Sequence, residues 1–135
     1  PPRNCMPHEP AAAAFLWDAL AFAKNVQVAV GDTSIDAYLL GGPVAWATER
    51  QIELVGEALN NLRKASPEIA ERVPDVHKII GMRNVLVHGY AEVNDRIVWL
   101  AATTSIPTLI PVLKALLDEG GPDPIVDWTA QPGEV

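Results

Sequence analysis

From Pro10 to Leu117 the apolar residues recur every three to four positions, the period of helices that each lay one face on a shared core. Pro10 suits the first turn of a helix carrying Phe15, Leu16, Ala19, Leu20, Ala23 and Val26 at helical spacing, and Gly31-Asp32 closes it. Ser34 caps a short helix through Tyr38, which Gly41-Gly42-Pro43 breaks. A longer helix follows from about Val44 to Ala65, with Ile52, Val55, Leu59 and Leu62 facing inward. Ser66-Pro67-Glu68 starts another short helix, since serine caps, proline fits the first position and an acid complements the positive end. Pro74 interrupts it. The next helix runs from about Asp75 to His88 and buries Val76, Ile79, Ile80, Val85, Leu86 and Val87. Asn94 or Asp95 opens the last long helix, whose Ile97, Val98, Leu100, Ile106, Leu109, Val112, Leu113 and Leu116 form a broad apolar stripe, with kinks expected at Pro107 and Pro111.

No strand pattern of period two, P-loop, paired CxxC or nucleophile elbow is present. The expected fold is therefore all-α, an antiparallel bundle of four to five helices over residues 10–119. A flexible N-terminus (1–9) precedes it, and a flexible or loosely docked Pro/Gly-rich tail (120–135) follows, in which Ile125-Val126-Asp127-Trp128 is a candidate docking cluster.

One segment concentrates chemistry. Arg83-Asn84-Val85-Leu86-Val87-His88-Gly89-Tyr90 sets a fixed cation, a near-neutral titrating group and a phenol close together, in a chain with six arginines, three histidines and two tyrosines. At neutral pH an imidazole takes and returns a proton, while a guanidinium stays charged and presents a planar fork that fits phosphate oxygens. Together they suit attack of a ribose 2′-hydroxyl on the adjacent phosphodiester, a route closed to DNA. The plainer reading is that Arg83 and His88 satisfy the last carbonyls of a helix, with Tyr90 a half-buried ring. On a straight helix Arg83 and Tyr90 lie about 20° apart, but His88 falls about 140° from Arg83. Either Gly89 ends the helix early enough for the imidazole to swing back, or a second subunit completes the site.

The run Gly81-Met82-Arg83-Asn84-Val85-Leu86-Val87-His88-Gly89-Tyr90 resembles the signature of HEPN-domain proteins, specifically the HepT-like toxins. Those are all-helical ribonucleases encoded beside a minimal nucleotidyltransferase antitoxin. The likeness extends through Arg50-Gln51-Ile52-Glu53-Leu54-Val55-Gly56-Glu57-Ala58, Val93-Asn94-Asp95-Arg96-Ile97-Val98-Trp99 and Ile106-Pro107, and covers roughly residues 10 to 118. It implies that Arg83 and His88 are catalytic and that Tyr90 is the residue to which the partner enzyme attaches AMP; Asn84, beside Arg83, is read as supporting the phosphate contacts. It further implies a homodimer whose two motifs face each other, a type VII-like toxin-antitoxin pair, and an mRNA or tRNA substrate. The Pro- and Gly-rich tail and the absence of an initiator Met depart from the family pattern without touching the motif. Two other readings stand beside this one: a non-catalytic HEPN module that binds a nucleotidyltransferase, and a purely structural dimerisation bundle.

Composition modifies the picture in three ways. The 135 residues, 49% of them hydrophobic, are one domain's worth and enough for a core. A single cysteine, Cys5, excludes an internal disulfide framework. With no apolar run expected to reach the length of a membrane span and no signal peptide, a cytoplasmic location is expected.

The net charge of −7 is unusual for a nucleic-acid enzyme, but it is unevenly spread. Residues 61–96 hold six basic against five acidic groups, a net of +1 that leaves −8 elsewhere, which fits a locally positive cleft on an acidic body, an acidic body that docks a basic partner, or solvated helix faces with no partner. Glu49, Glu53 and Glu57 follow one another by single turns, yet no histidine joins them at ligand spacing, so a solvated face is favoured and no metal or cofactor is expected. An alternative role for Glu57 is to hold Arg83 from a neighbouring helix. His77 lies roughly 16 Å along the helix from His88, too far to share a metal, and reads as a surface histidine.

Overall fold

The computed structural model describes residues 9–89 and 93–120, and every regular element among them is helical. In chain order these are α1 (Pro10–Val30), α2 (Ile35–Leu39), α3 (Pro43–Ala65), α4 (Pro67–Ala70), α5 (Val76–His88), α6 (Asp95–Leu100) and α7 (Ile106–Glu119), with a π-helical turn over Ala101–Ser105 joining the last two. Four long rods, α1, α3, α5 and the α6–α7 run, make the bundle, and α2 and α4 are short connectors. The start of the chain through His8, Tyr90, and the tail with its Ile125–Trp128 cluster lie outside the described residues.

Local chemistry explains most of the boundaries. Pro10 and Pro43 occupy first-turn positions where a missing N–H leaves nothing unpaired. The Ser34 hydroxyl accepts from Ala37 N at 3.2 Å, and Asn94 Oδ1 accepts from Arg96 N and Ile97 N at 3.1 and 3.3 Å. Ser66 behaves differently from the expected cap. Its side chain makes no capping bond, because the residue also closes α3, donating its backbone N–H to Leu62 O at 2.7 Å.

The core forms where α1 packs on α3 and α7, and where α3 packs on α5. Leu16, Ala19, Leu20, Ala23 and Val26 from α1 meet Ile52, Val55, Leu59 and Leu62 from α3, with Ile79 and Ile80 on one side and Ile106, Leu109, Leu113 and Leu116 on the other. Thr48 is a buried polar residue, and its hydroxyl is satisfied by donating to Val44 O at 2.7 Å. Arg72 and Glu119 form a bidentate pair, at 2.9 and 2.7 Å, that fastens the segment after α4 to the end of α7.

Three expectations need correction. Val85 and Val87 are not buried but 41% and 42% exposed: Val85 lies about 160° around the helix from Arg83, which takes the position facing α3, and Val87 stands in the last turn of α5. The interruption expected at the prolines takes the form of a π turn, in which Ile106 donates five residues back to Ala101 O just before Pro107. The wider turn accommodates the carbonyls that prolines cannot satisfy. Finally, the 25-residue run Asp95–Glu119 is long and apolar enough to cross a membrane by length and composition alone. In this bundle Val98, Ala102, Ile106, Leu109, Leu113 and Leu116 are buried in the core.

At one end α2, α3 and α6 meet around Tyr38, which is 1% exposed and whose hydroxyl has no hydrogen-bond partner among the described residues. Burial, and then the carboxylates of Glu49 and Asp95, push its ionisation far up. The Glu49 carboxyl is raised as well, by burial first and then by the charge and hydrogen bonding of Asp95. Trp99 Nε1 donates to Thr33 O at 3.1 Å and ties the same corner together.

A carboxyl raised on folding favours the folded state only while it is protonated. Its contribution is fully present below the ordinary value of 4.5 and is lost as the pH rises through the raised one. Glu49→Gln, which mimics the protonated form, should therefore raise the thermal midpoint at pH 7, and the gain should shrink as the pH falls toward 4.5. Equal midpoints for variant and parent at pH 7 would show that Glu49 carries no such burden.

Candidate active site

The candidate chemistry sits in the second half of α5. Asp75, with φ of 59°, turns the chain so that α5 starts with Val76, Ile79 and Ile80 against the core. Arg83 follows one turn after Ile79 and is half-buried, its stem pressed on α3 at Gly56. A methyl group built on Gly56 would lie 2.9 Å from Arg83 Cγ and 3.1 Å from the Ile79 carbonyl oxygen. The Arg83 Nε is buried with no acceptor among the described residues, and Nη1 donates to Asn84 Oδ1 at 2.9 Å. Asn84 itself is exposed, so an oxygen approaching from solvent meets its amide and the guanidinium edge together.

His88 is the last residue of α5 and is exposed. Gly89 adopts the left-handed conformation at φ 60°, ψ 25° and donates its N–H to Val85 O at 2.9 Å, which ends the helix. The helix thus continues through His88. The two side chains leave one helix about 140° apart. Tyr90 falls outside the described residues.

Glu57 does not hold Arg83. It is exposed, and among the described residues the ion pairs are Arg50–Glu53 at 3.0 Å and Arg72–Glu119. The three glutamates of α3 therefore part company: Glu49 meets Asp95, Glu53 pairs with Arg50, and Glu57 faces solvent. Among the described residues no group of three or more His, Cys, Asp or Glu side chains is placed to share a metal ion. His77 is exposed.

On its other face α5 borders a groove of about 340 Å³, where Met82, Val85 and Leu86 face Val93, Ile97 and Val98, with Lys78 and Asn94 as the polar lining. Val85, Val87, Ile97 and Leu100 are all substantially exposed.

Sequence reasoning noticed Gly56 only as part of a run; the sign that would have singled it out is a glycine inside a helix otherwise built from good helix formers. It missed the Tyr38–Glu49–Asp95 cluster, whose members share no spacing along the chain.

A strand-free bundle that presents Arg-Asn-x3-His-Gly at the end of one helix is a HEPN-like bundle. Residues 24–116 match the ribonuclease HepT-like family, and the chain belongs to it. It is similar to "Putative RNase TTE0752" of Caldanaerobacter subterraneus subsp. tengcongensis, with 40% identity over 70 residues, 52% of this chain and 62% of that relative's length. It is also similar to "Putative RNase MJ0125" and "Putative RNase MJ1380" of Methanocaldococcus jannaschii, at 29% and 26% identity over 98 residues each, 71% of this chain and 82% and 87% of theirs. No solved structure matches it significantly.

Proposed function

We propose that the chain is a metal-independent endoribonuclease, the toxin of a type VII-like pair whose antitoxin is a minimal nucleotidyltransferase. The observation that carries this reading is the Arg83 guanidinium, seated on α3 and bonded to Asn84, on the same helix as His88 in a member of the HepT-like ribonuclease family. His88 takes the proton of a ribose 2′-hydroxyl, the freed oxygen attacks phosphorus, and the bond to the 5′-oxygen breaks. The leaving oxygen takes up a proton from an imidazolium, and the product ends are a 2′,3′-cyclic phosphate and a 5′-hydroxyl. Arg83 neutralises the charge that builds on the non-bridging oxygens, and the Asn84 amide supports the phosphate. A cation bound by the protein is not required, because the nucleophile belongs to the substrate and the base to the enzyme.

The 140° between Arg83 and His88 makes one copy a poor site by itself. Two copies apposed along α5 bring two sets of side chains into one cleft, and the exposed Val85, Val87, Ile97 and Leu100 supply apolar surface for that contact. Arg83→Ala and His88→Ala should each reduce RNA cleavage about 10²-fold or more while leaving helicity intact. Mixing the two inactive variants should restore part of the activity through mixed dimers, and chelator should not inhibit the parent. Full activity in either variant, or dependence on an added divalent ion, sinks the mechanism; no recovery on mixing sinks the shared cleft.

Tyr90, two residues past His88, is proposed as the control point. AMP attached to its phenol places a negative phosphate near Arg83, where it competes with substrate and repels RNA. Tyr90→Phe should keep cleavage activity and resist silencing when expressed with the nucleotidyltransferase, its intact mass unchanged. A Phe variant that still gains AMP mass and is silenced as fully as the parent rules Tyr90 out.

A further inference from the structure

Gly56 lies in the interior of α3, where a glycine weakens the helix for want of a side chain. The backbone of α3 does not require it, since Gly56 is not among the glycines with positive φ. The requirement comes from α5. A Cβ at this position would collide with Arg83 Cβ, lie 2.9 Å from Arg83 Cγ, and press on the Ile79 carbonyl oxygen at 3.1 Å. The arginine stem therefore rests on bare backbone. Its Nε is enclosed with no acceptor among the described residues, and its Nη1 is tied to Asn84 Oδ1 at 2.9 Å. An enclosed Nε without a partner costs free energy, so the packing of the stem at Gly56 has to offset it for the side chain to stay in this place.

We infer that Gly56 is a positioning residue for Arg83: the missing side chain creates the seat that aims the guanidinium. Gly56 touches no substrate and acts only through the arginine. The catalytic consequence rests on the ribonuclease reading above; the seating itself does not. The competing explanation is that Gly56 merely lets α3 and α5 approach, with Ile79 as its partner and Arg83 a bystander. The two differ in what happens when Arg83 is removed. The closest collision involves Cβ, so the informative partner variant is Arg83→Gly, which clears the whole stem.

The experiment compares the parent, Gly56→Ala, Arg83→Gly and the double variant by thermal midpoint, by cleavage of a single-stranded RNA, and by the arginine Nε–H signals in a ¹⁵N NMR spectrum. Arg83→Lys assigns the Arg83 signal by its loss. In the parent that signal should be protected from solvent exchange, unlike those of the exposed Arg63 and Arg96. Gly56→Ala should abolish the protection and lower cleavage about 10²-fold at a temperature where the variant is folded, the scale expected for a catalytic group displaced by about an ångström. It should lower the midpoint in the parent but much less in the Arg83→Gly background. An unchanged Arg83 signal with cleavage within about twofold of the parent overturns the inference, as does an equal fall in midpoint in both backgrounds. If Gly56→Ala does not fold, recovery of folding in the double variant supports the seat and continued unfolding overturns it. A parent that cleaves no RNA, with the signal and the coupling behaving as expected, removes the ribonuclease reading and leaves the seat standing.

Discussion

The passage of α5 across α3 at Gly56 is the constraint on which the rest of the structure turns. Along α3 the inward residues before and after it, Ile52, Val55, Leu59 and Leu62, are large and fully buried, so the helix is anchored on both sides of the one position that has no side chain. On α5, Val76, Ile79 and Ile80 bury against the same core, and the next inward position holds Arg83 instead of another aliphatic. A charged group at the edge of a core is tolerated when its stem is covered and its head reaches polar partners or water. Here the stem is covered by helix backbone and the head reaches Asn84, so packing energy contributed by the bundle holds a cation at the surface.

The punctuation of the chain was legible because it is local. Pro10, Ser34, Pro43, Gly89 and Asn94 start or stop helices through their own backbone geometry or side-chain bonds, and none depends on a distant partner. The apolar stripes of α1, α3 and α7 were legible for a related reason, since a period of 3.6 names a buried face whatever it packs on. What was not legible was who meets whom. Val85 sits in an apolar stretch, and only the placement of Arg83 against α3 shows why it is outside. Glu57 is spaced to reach a neighbouring helix, but the arginine finds an acceptor one residue away. Tyr38, Glu49 and Asp95 lie on three different helices and become a unit only in the folded chain.

The distribution of charge reads differently once the partners are known. Of the basic residues between 61 and 96, Arg72 is paired with the Glu119 carboxylate, whereas Arg63 donates to the neutral Asn60 amide and keeps its charge. The positive surface near α5 is thus narrower than the residue count suggests, on a chain of net charge −7. Affinity for nucleic acid grows with the number of phosphates neutralised, so a site with few free cations binds backbone weakly and depends on the geometry at one phosphate. This is consistent with a nuclease whose selectivity lies at the scissile bond and whose activity one added negative group near Arg83 could silence.

In the proposed reaction a protein histidine and the substrate's own 2′-hydroxyl do the chemistry, and the seated arginine takes up the charge. The most direct measurement is the structure of the cut ends on a short RNA that carries one 2′-deoxy sugar at the cleaved position. The all-ribose strand should yield a 2′,3′-cyclic phosphate and a 5′-hydroxyl, with no cut at the deoxy position. Ends bearing a 5′-phosphate and a 3′-hydroxyl, or cleavage at the deoxy sugar, would contradict it.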